Sequence, residues 1–277
     1  MESISIFDQF QGFLNTSDIL LNSKYQDIIS FDFPEVISSA SLKEDLKRLD
    51  HPRNSVLGKR MESFFEIAIN YSDRYELIAS NIQIIENKQT LGELDFLVFD
   101  RQRKIPLHIE LVYKLYVYDP ELDPEIKKWI GPNRRDSFSE KLEKLKSRQF
   151  PLLYKPETFS YLRELGISID DIEQQLCFKA QLFTPEKINL KDQGLINLAS
   201  HVGLYYNLNE FLKMDWQQNL FYSPKKKDWS CNPEMNSNWI DREELIKDLQ
   251  VLFENEKSPL VWMKTATTYH TFFIVWW

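Results

Sequence analysis

Between Leu57 and Tyr71 apolar residues recur at threes and fours, with Met61, Phe64, Phe65, Ala68 and Ile69 in one stripe and Glu62 and Glu66 one turn apart. That spacing predicts an amphipathic helix. The texture then changes to three strand-like runs, Tyr75 to Glu86, Gly92 to Phe99 and Ile105 to Val117, rich in β-branched and aromatic residues. Short polar turns, Asn87-Lys88-Gln89 and Asp100 to Lys104, separate them, as successive antiparallel strands require. Upstream, Ser41 is expected to cap a helix over Lys43 to Leu49 that the His51-Pro52 pair ends.

Asp119 to Pro132 holds three prolines and several charges and reads as an irregular loop or flap. Asp136 or Ser137 can cap a helix from Phe138 to Gln149, with Phe138, Leu142 and Leu145 as its apolar stripe and Pro151 as its stop. Helices near Pro156 to Leu165 and Ile169 to Gln175 follow, then a strand from Leu176 to Phe183. Past Pro185 come aromatic strand candidates at His201 to Leu208, Leu220 to Ser223, Leu260 to Lys264 and Tyr269 to Trp277. A helix from Asp241 to Glu254 stands among them, with Asp241 and Glu244 spaced as a capping box. The change of texture suggests two domains, 1–185 and 186–277. No internal repeat or low-complexity tract is present.

Composition narrows the class. With 43% hydrophobic and 27% charged residues the chain reads as a soluble globular protein, and no apolar run reaches the ~18 to 20 residues of a membrane span. The first twenty residues lack the basic-then-apolar layout of a secretory signal, so a cytoplasmic location is expected. Cys177 and Cys231 have no metal-type spacing and read as reduced thiols. A net charge of −8 excludes a chain that coats nucleic acid with its whole surface. A basic groove is still open to it, because Lys127 to Arg148 carries eight basic against three acidic residues.

The strands carry acids where apolar residues are expected. Alternation puts Glu93 and Asp95 on one face of their strand, and His108, Glu110, Val112 and Lys114 on one face of the next. Paired carboxylates with an amine nearby suit a divalent metal and phosphodiester chemistry. Each residue also has a plainer reading. Glu93 and Glu66 read as surface acids, His108 as a satisfied sheet histidine, and Glu110 with Lys114 as a buried ion pair. Gly131-Pro132-Asn133 before Arg134 and Arg135 forms either a phosphate-facing turn or a helix entry. The run Lys225 to Lys227 with Asp228-Trp229 is either a nucleic-acid contact or a solvated loop over a buried tryptophan. The aromatics Trp262, Phe272, Phe273, Trp276 and Trp277 read as core.

Taken together, L-G-K-R-M-E-S-F-F (Leu57 to Phe65), G-E-L-D-F (Gly92 to Phe96) and H-I-E-L-V-Y-K (His108 to Lys114) resemble the helix glutamate, the strand aspartate and the acid-lysine strand of the PD-(D/E)XK nuclease superfamily. More narrowly, these segments, W-I-G-P-N-R-R-D (Trp129 to Asp136) and the K-L-x-x-L-x-x-x-Q stretch (Lys141 to Gln149) are similar to a bacterial family described as domain of unknown function 1853. The resemblance covers Leu57 to about Pro151 well and the C-terminal part weakly.

It implies a restriction-endonuclease-like core, an α/β fold of αβββαβ order with a mixed sheet flanked by helices, followed by an aromatic-rich α+β part. It also implies Asp95 and Glu110 as ligands of magnesium or manganese, Glu62 as auxiliary ligand, Lys114 as activating amine, and DNA or RNA as substrate; Arg134, Arg135 and Lys141, from the basic segment, are the residues expected to meet its backbone. One departure stands out. The superfamily's lysine follows its acid by two residues, whereas Lys114 follows Glu110 by four, about 13 Å along a strand. Val112 fills the expected place, and Lys141 is an alternative source of the amine. The competing expectations are a nucleic-acid-binding module without turnover and an interaction protein with a degenerate site.

Overall fold

Residues 4–20, 24–25, 28–52, 56–188, 190, 196–216 and 218–277 are described by the computed structural model of the chain. The N-terminal elements are α1 (Ile6–Asn15), β1 (Lys24–Tyr25), β2 (Ile28–Ser30), α2 (Ala40–Arg48) and α3 (Leu57–Asn70). They lead into β3 (Tyr75–Glu86), β4 (Gln89–Asp100), β5 (Ile105–Tyr118), β6 (Trp129–Ile130), α4 (Phe138–Lys144), α5 (Phe150–Leu152), α6 (Pro156–Glu164) and β7 (Glu173–Thr184). The rest is β8 (His201–Asn207), α7 (Leu208–Lys213), β9 (Leu220–Tyr222), α8 (Arg242–Glu254), β10 (Leu260–Lys264) and β11 (Tyr269–Val275). The fold is mixed α/β, with antiparallel and parallel strand pairs and flanking helices. No helix among the described residues is long and apolar enough to cross a membrane.

Contacts divide the chain into two compact units, each gathered from separated stretches. The first comprises Leu20–Tyr113 and Glu140–Lys179; the second comprises Met1–Ile19, Lys114–Ser139 and Ala180–Trp277. In the first unit the strand order is β3-β4-β5-β7, with β2 parallel to the start of β7. The long β3–β4 hairpin turns through Asn87 and Lys88, both with positive φ, the backbone a tight two-residue turn demands. A core of Ile82, Ile84, Leu94, Leu97, Leu152, Leu153, Leu162 and Ile172 lies between the hairpin, α5 and α6. From α3, Phe65 meets Phe96 of β4 at 4.5 Å between ring centroids.

In the second unit β8 is parallel to β11, and β11, β10 and β9 follow antiparallel. Helices α7 and α8 cover a core of Tyr206, Phe211, Phe221, Leu245, Leu249, Val261, Met263, Phe272 and Ile274. Trp262 and Phe273 are fully buried, as expected of aromatic strands. Both cysteines are free and buried.

Four local expectations are corrected. The cap of α2 is Ser39, which accepts the Leu42 N–H at 3.1 Å, rather than Ser41. Pro151 does not stop the helix before it. A π-helical turn, Leu145–Gln149, intervenes, and α5 begins one residue before the proline. A widened turn accommodates a residue that lacks an N–H and crowds the preceding carbonyls. The stretch after β5 is no free flap, because β6 pairs with β5 through Val117↔Ile130 and Tyr118↔Trp129 and buries Trp129. Finally, Ile169–Asp171 is a single 3-10 turn, and Glu173, Gln174 and Gln175 already belong to β7.

Candidate active site

Strands β4 and β5 pair through Phe96↔Ile109, Leu97↔His108 and Val98↔Leu107. One further step of that register sets Asp95 opposite Glu110, and opposed residues of an antiparallel pair project to one face. In place of the next ladder bond, Asp95 Oδ2 accepts the Leu111 N–H at 2.9 Å. On its other side, the pairs Ser80↔Phe96 and Ile82↔Leu94 bracket Asn81, which opposes Asp95 with φ +54. A left-handed φ is uncommon away from glycine, and asparagine is among the residues that tolerate it. Asp95 is thus held within a strand while its regular pairing is interrupted on both flanks.

Helix α3 brings Glu62 and Lys59 to the same place. Lys59 Nζ lies 2.7 Å from Glu62 Oε2 and 2.5 Å from Asn81 Oδ1. Burial pulls the Lys59 amine down, but the Glu62 hydrogen bond and the charges of Glu62, Glu93 and Asp95 outweigh it and raise its pKa. Asp95 is pushed up to about 8 by burial and then by the charge of Glu110, with Glu62 adding to the rise and the Leu111 N–H and Lys141 opposing it. Four acids, Glu62, Glu93, Asp95 and Glu110, and two lysines, Lys59 and Lys141, therefore share one field.

Glu110 is fully buried and both its oxygens are engaged. His108 Nε2 lies 3.0 Å from Oε1, and Gln149 Nε2 donates to Oε2 at 2.5 Å. Gln149 Oε1 in turn accepts from Lys141 Nζ at 2.7 Å. Gln174 Nε2 donates to Phe150 O at 2.8 Å and lies 2.9 Å from His108 Nδ1. Because the Phe150 carbonyl can only accept, the Gln174 amide must present its NH2 there. Nδ1 of His108 is then the acceptor and Nε2 carries the proton given to Glu110. This chain of donors orients the carboxylate with neutral groups, leaving its charge uncancelled.

The raised Asp95 carboxyl carries a pH signature. Unfolded, it ionises near its ordinary 3.8; folded, near 8. Between those values the unfolded chain has lost a proton that the folded chain keeps, so stability falls as pH rises across the window and levels above it. Asp95→Asn retains an acceptor for the Leu111 N–H and removes the effect. Its melting temperature should match the parent below pH ~4 and exceed it by about 5 °C at pH 8, on roughly 2 kcal/mol of relief. A difference constant across thermal melts from pH 3 to 9 would refute this account.

Of the residues expected from the sequence, Glu62, Asp95, Glu110 and Lys141 come together. Lys114 belongs to the second unit, where its Nζ lies 2.5 Å from Asp136 Oδ2. Arg134 is bound to Asp119 at 2.8 Å and lies over the Trp277 ring, while Arg135 is exposed. Glu66 accepts from Ser80 Oγ at 3.2 Å. Lys59, Asn81, Gln149 and Gln174 carry no signal of their own in a single sequence, apart from the place of Gln149 at the end of the K-L-x-x-L-x-x-x-Q stretch.

Among the described residues no three of His, Cys, Asp and Glu are gathered as a metal cage. The donor set is a facing carboxylate pair with a third acid in its field. Magnesium takes such a set, since it keeps several waters and is bound by one or two carboxylates plus phosphate oxygens. Zinc's closed set of nitrogen and sulfur ligands is a different arrangement. The model of a protein family described as Domain of unknown function (DUF1853) matches residues 37–271. Neither a curated protein nor a solved structure matches the chain.

Proposed function

The chain belongs to the DUF1853 family, whose description names no activity, and from the site itself we propose a magnesium- or manganese-dependent nuclease of the PD-(D/E)XK kind that hydrolyses phosphodiester bonds in DNA or RNA. The observation that carries this reading is the facing of Asp95 and Glu110 across β4 and β5, with Asp95 released from the ladder. The succession α3, β3, β4, β5, helices, β7 supports a restriction-endonuclease-like core. Asp95 and Glu110 hold the dication, with Glu62 as auxiliary ligand. The metal supplies a Lewis acid and a means of ionising water at neutral pH.

The remaining roles fall to groups that position or neutralise. His108 and Gln149 fix the Glu110 oxygens. Lys141, tied to Gln149 and acting on Asp95, is the amine best placed to orient water or to face the charge that builds on a phosphate. Lys114 was the amine implied by resemblance, and it is engaged with Asp136.

A binding module without turnover is favoured by one observation: Val112, buried, occupies the place of the superfamily's lysine. Cleavage of labelled DNA and RNA separates the readings. Lys141→Ala is expected to lower magnesium-dependent cleavage by about a hundredfold or more, the scale of a lost proton-transfer or charge-stabilising group. Lys114→Ala should leave the rate at saturating substrate within a few fold. In calorimetry, manganese should bind the parent and not Asp95→Asn. No cleavage of either polymer together with no specific manganese heat would overturn the nuclease reading.

A further inference from the structure

The second unit gathers cations around a single acid. The loop Gly131 to Asp136 is closed by Gly131 N–H donating to Asp136 O at 2.8 Å and Arg134 N–H donating to Gly131 O at 2.7 Å. A Cβ on Gly131 would lie 2.1 Å from Asp136 Oδ1, so a larger residue there would push the Asp136 carboxylate aside. Ser258 docks on the loop, its N–H donating to Asn133 Oδ1 and its Oγ to Pro132 O, each at 2.7 Å. Lys257 immediately precedes the docked Ser258, and Arg135 lies two residues after Asn133. Ser223 Oγ donates to Leu260 O at 3.2 Å, tying the segment that leads into Lys225-Lys226-Lys227 to the start of β10, and the charges of Lys257 and Arg135 both act on Lys226.

Two of the acids adjacent to these cations are withdrawn, while Glu256 beside Lys257 is exposed. Asp228, which ends the lysine run, is buried and accepts from Gln9 Nε2 at 2.8 Å. Asp136 is engaged by Lys114. Among the described residues Arg135, Lys226 and Lys257 have no carboxylate within ion-pair distance, and all three are exposed. The Lys226 amine is pulled down by burial and then by the charges of Lys257 and Arg135, against which Asp136 pulls up and Lys114 pushes down again. Such mutual repulsion opposes folding, and a bound anion relieves it. In a chain of net charge −8 the concentration is local.

We infer that Arg135, Lys226 and Lys257, with the Lys114–Asp136 pair at their centre, form a binding site for the phosphates of a nucleic-acid backbone. The inference deepens the nuclease reading in naming its polymer's contact surface, and it rests on that reading only for the identity of the polyanion. The site reads charge and not bases, because its groups are lysines and one arginine with no donor–acceptor pattern set for base edges.

The test is fluorescence anisotropy of a labelled oligonucleotide, as single strand and as duplex, in EDTA, so that no metal-dependent step enters. Lys226→Ala/Lys257→Ala is expected to weaken binding at least about tenfold for every sequence, and to reduce the log–log salt slope by about 2. These lysines are exposed, so the double variant should keep the parent's circular dichroism and melt no lower than the parent; if it does not, Lys226→Gln and Lys257→Gln singly replace it, each expected to reduce the slope by about 1. Unchanged affinity and slope in a folded variant overturn the inference and leave the nuclease reading standing. So does tight binding of polyglutamate with no binding of the oligonucleotide. Loss of binding in the double variant when the parent neither cleaves nor gives a specific manganese heat supports the inference and removes the nuclease.

Discussion

Replacing Asp95 with alanine is expected to lower metal-dependent cleavage by about a thousandfold or more, equivalent to roughly 4 kcal/mol of transition-state stabilisation. Glu110→Gln should do the same. The two carboxylates face each other across β4 and β5, and either alone offers a dication half its protein ligands. The two variants differ in their other costs. Asn or Ala at position 95 relieves like-charge repulsion with Glu110. Gln at position 110 turns an amide NH2 toward either His108 Nε2–H or the Gln149 amide, since both oxygens of Glu110 accept hydrogen bonds. That mismatch costs about 1 to 3 kcal/mol of stability. Circular dichroism and a melt separate the effects, because Asp95→Ala should be inactive without being less stable at pH 8.

On the nuclease reading, the same pair is expected to set the pH dependence of cleavage. A metal must displace the proton that burial and Glu110 keep on Asp95 up to about pH 8. At limiting magnesium, cleavage should therefore rise with pH toward 8 and then level, and saturating metal should shift the rise to lower pH. Full activity in either carboxylate variant, measured on a substrate the parent cleaves, would remove these residues from the chemistry.

Asp100→Ala is expected to destabilise the chain by about 3 to 5 kcal/mol at neutral pH, the scale for opening a buried ion pair. Asp100 is fully buried at the end of β4. It accepts from Arg74 Nε at 3.2 Å and Nη2 at 2.9 Å, and from the N–H groups of Gln102 and Arg103 at 3.0 and 3.1 Å. The turn between β4 and β5 is therefore built around this one side chain, and Lys104 completes it with φ +59. Arg74 also binds Asp32, which places the expected loss nearer the lower figure.

Burial alone raises the Asp100 carboxyl, but the Arg74 and backbone hydrogen bonds outweigh it and hold the group below the usual carboxylate range. Its contribution is thus present above its ordinary pKa of 3.8 and lost as pH falls below that value. Urea denaturation at pH 7 and pH 3 should show a gap between parent and variant that is smaller at pH 3, by about 1 kcal/mol. Equal gaps would show that packing, and not the ion pair, accounts for the cost.

The elements bearing the site were legible from local pattern. β3 has the expected bounds, β5 ends one residue beyond them, and α3 ends one residue short of them. Side-chain alternation in two such strands was enough to direct Asp95 and Glu110 to common faces. The misjudged places were those where a distant segment sets the local demand. Gln174 sits in β7 because its amide bridges Phe150 O and His108, and nothing in Ile169 to Gln175 announces that need. Gln149 lies eight residues after Lys141, which an unbroken α-helix sets about 80° apart around its axis. The π turn takes up nearly one more residue and returns Gln149 to the face of Lys141, where the two bond.

By itself the sequence determined the order and type of the main elements and the two acidic strands, because the periods of helix and strand are properties of the backbone that neighbouring residues express. Only the tertiary structure decided which groups surround those acids: Asn81 interrupting the ladder, Gln149, His108 and Gln174 orienting Glu110, Lys141 acting on Asp95, and Lys114 drawn to Asp136. Each depends on where residues far along the chain arrive, and a polar side chain takes its partner from what stands within hydrogen-bond reach, whatever its neighbours in the sequence.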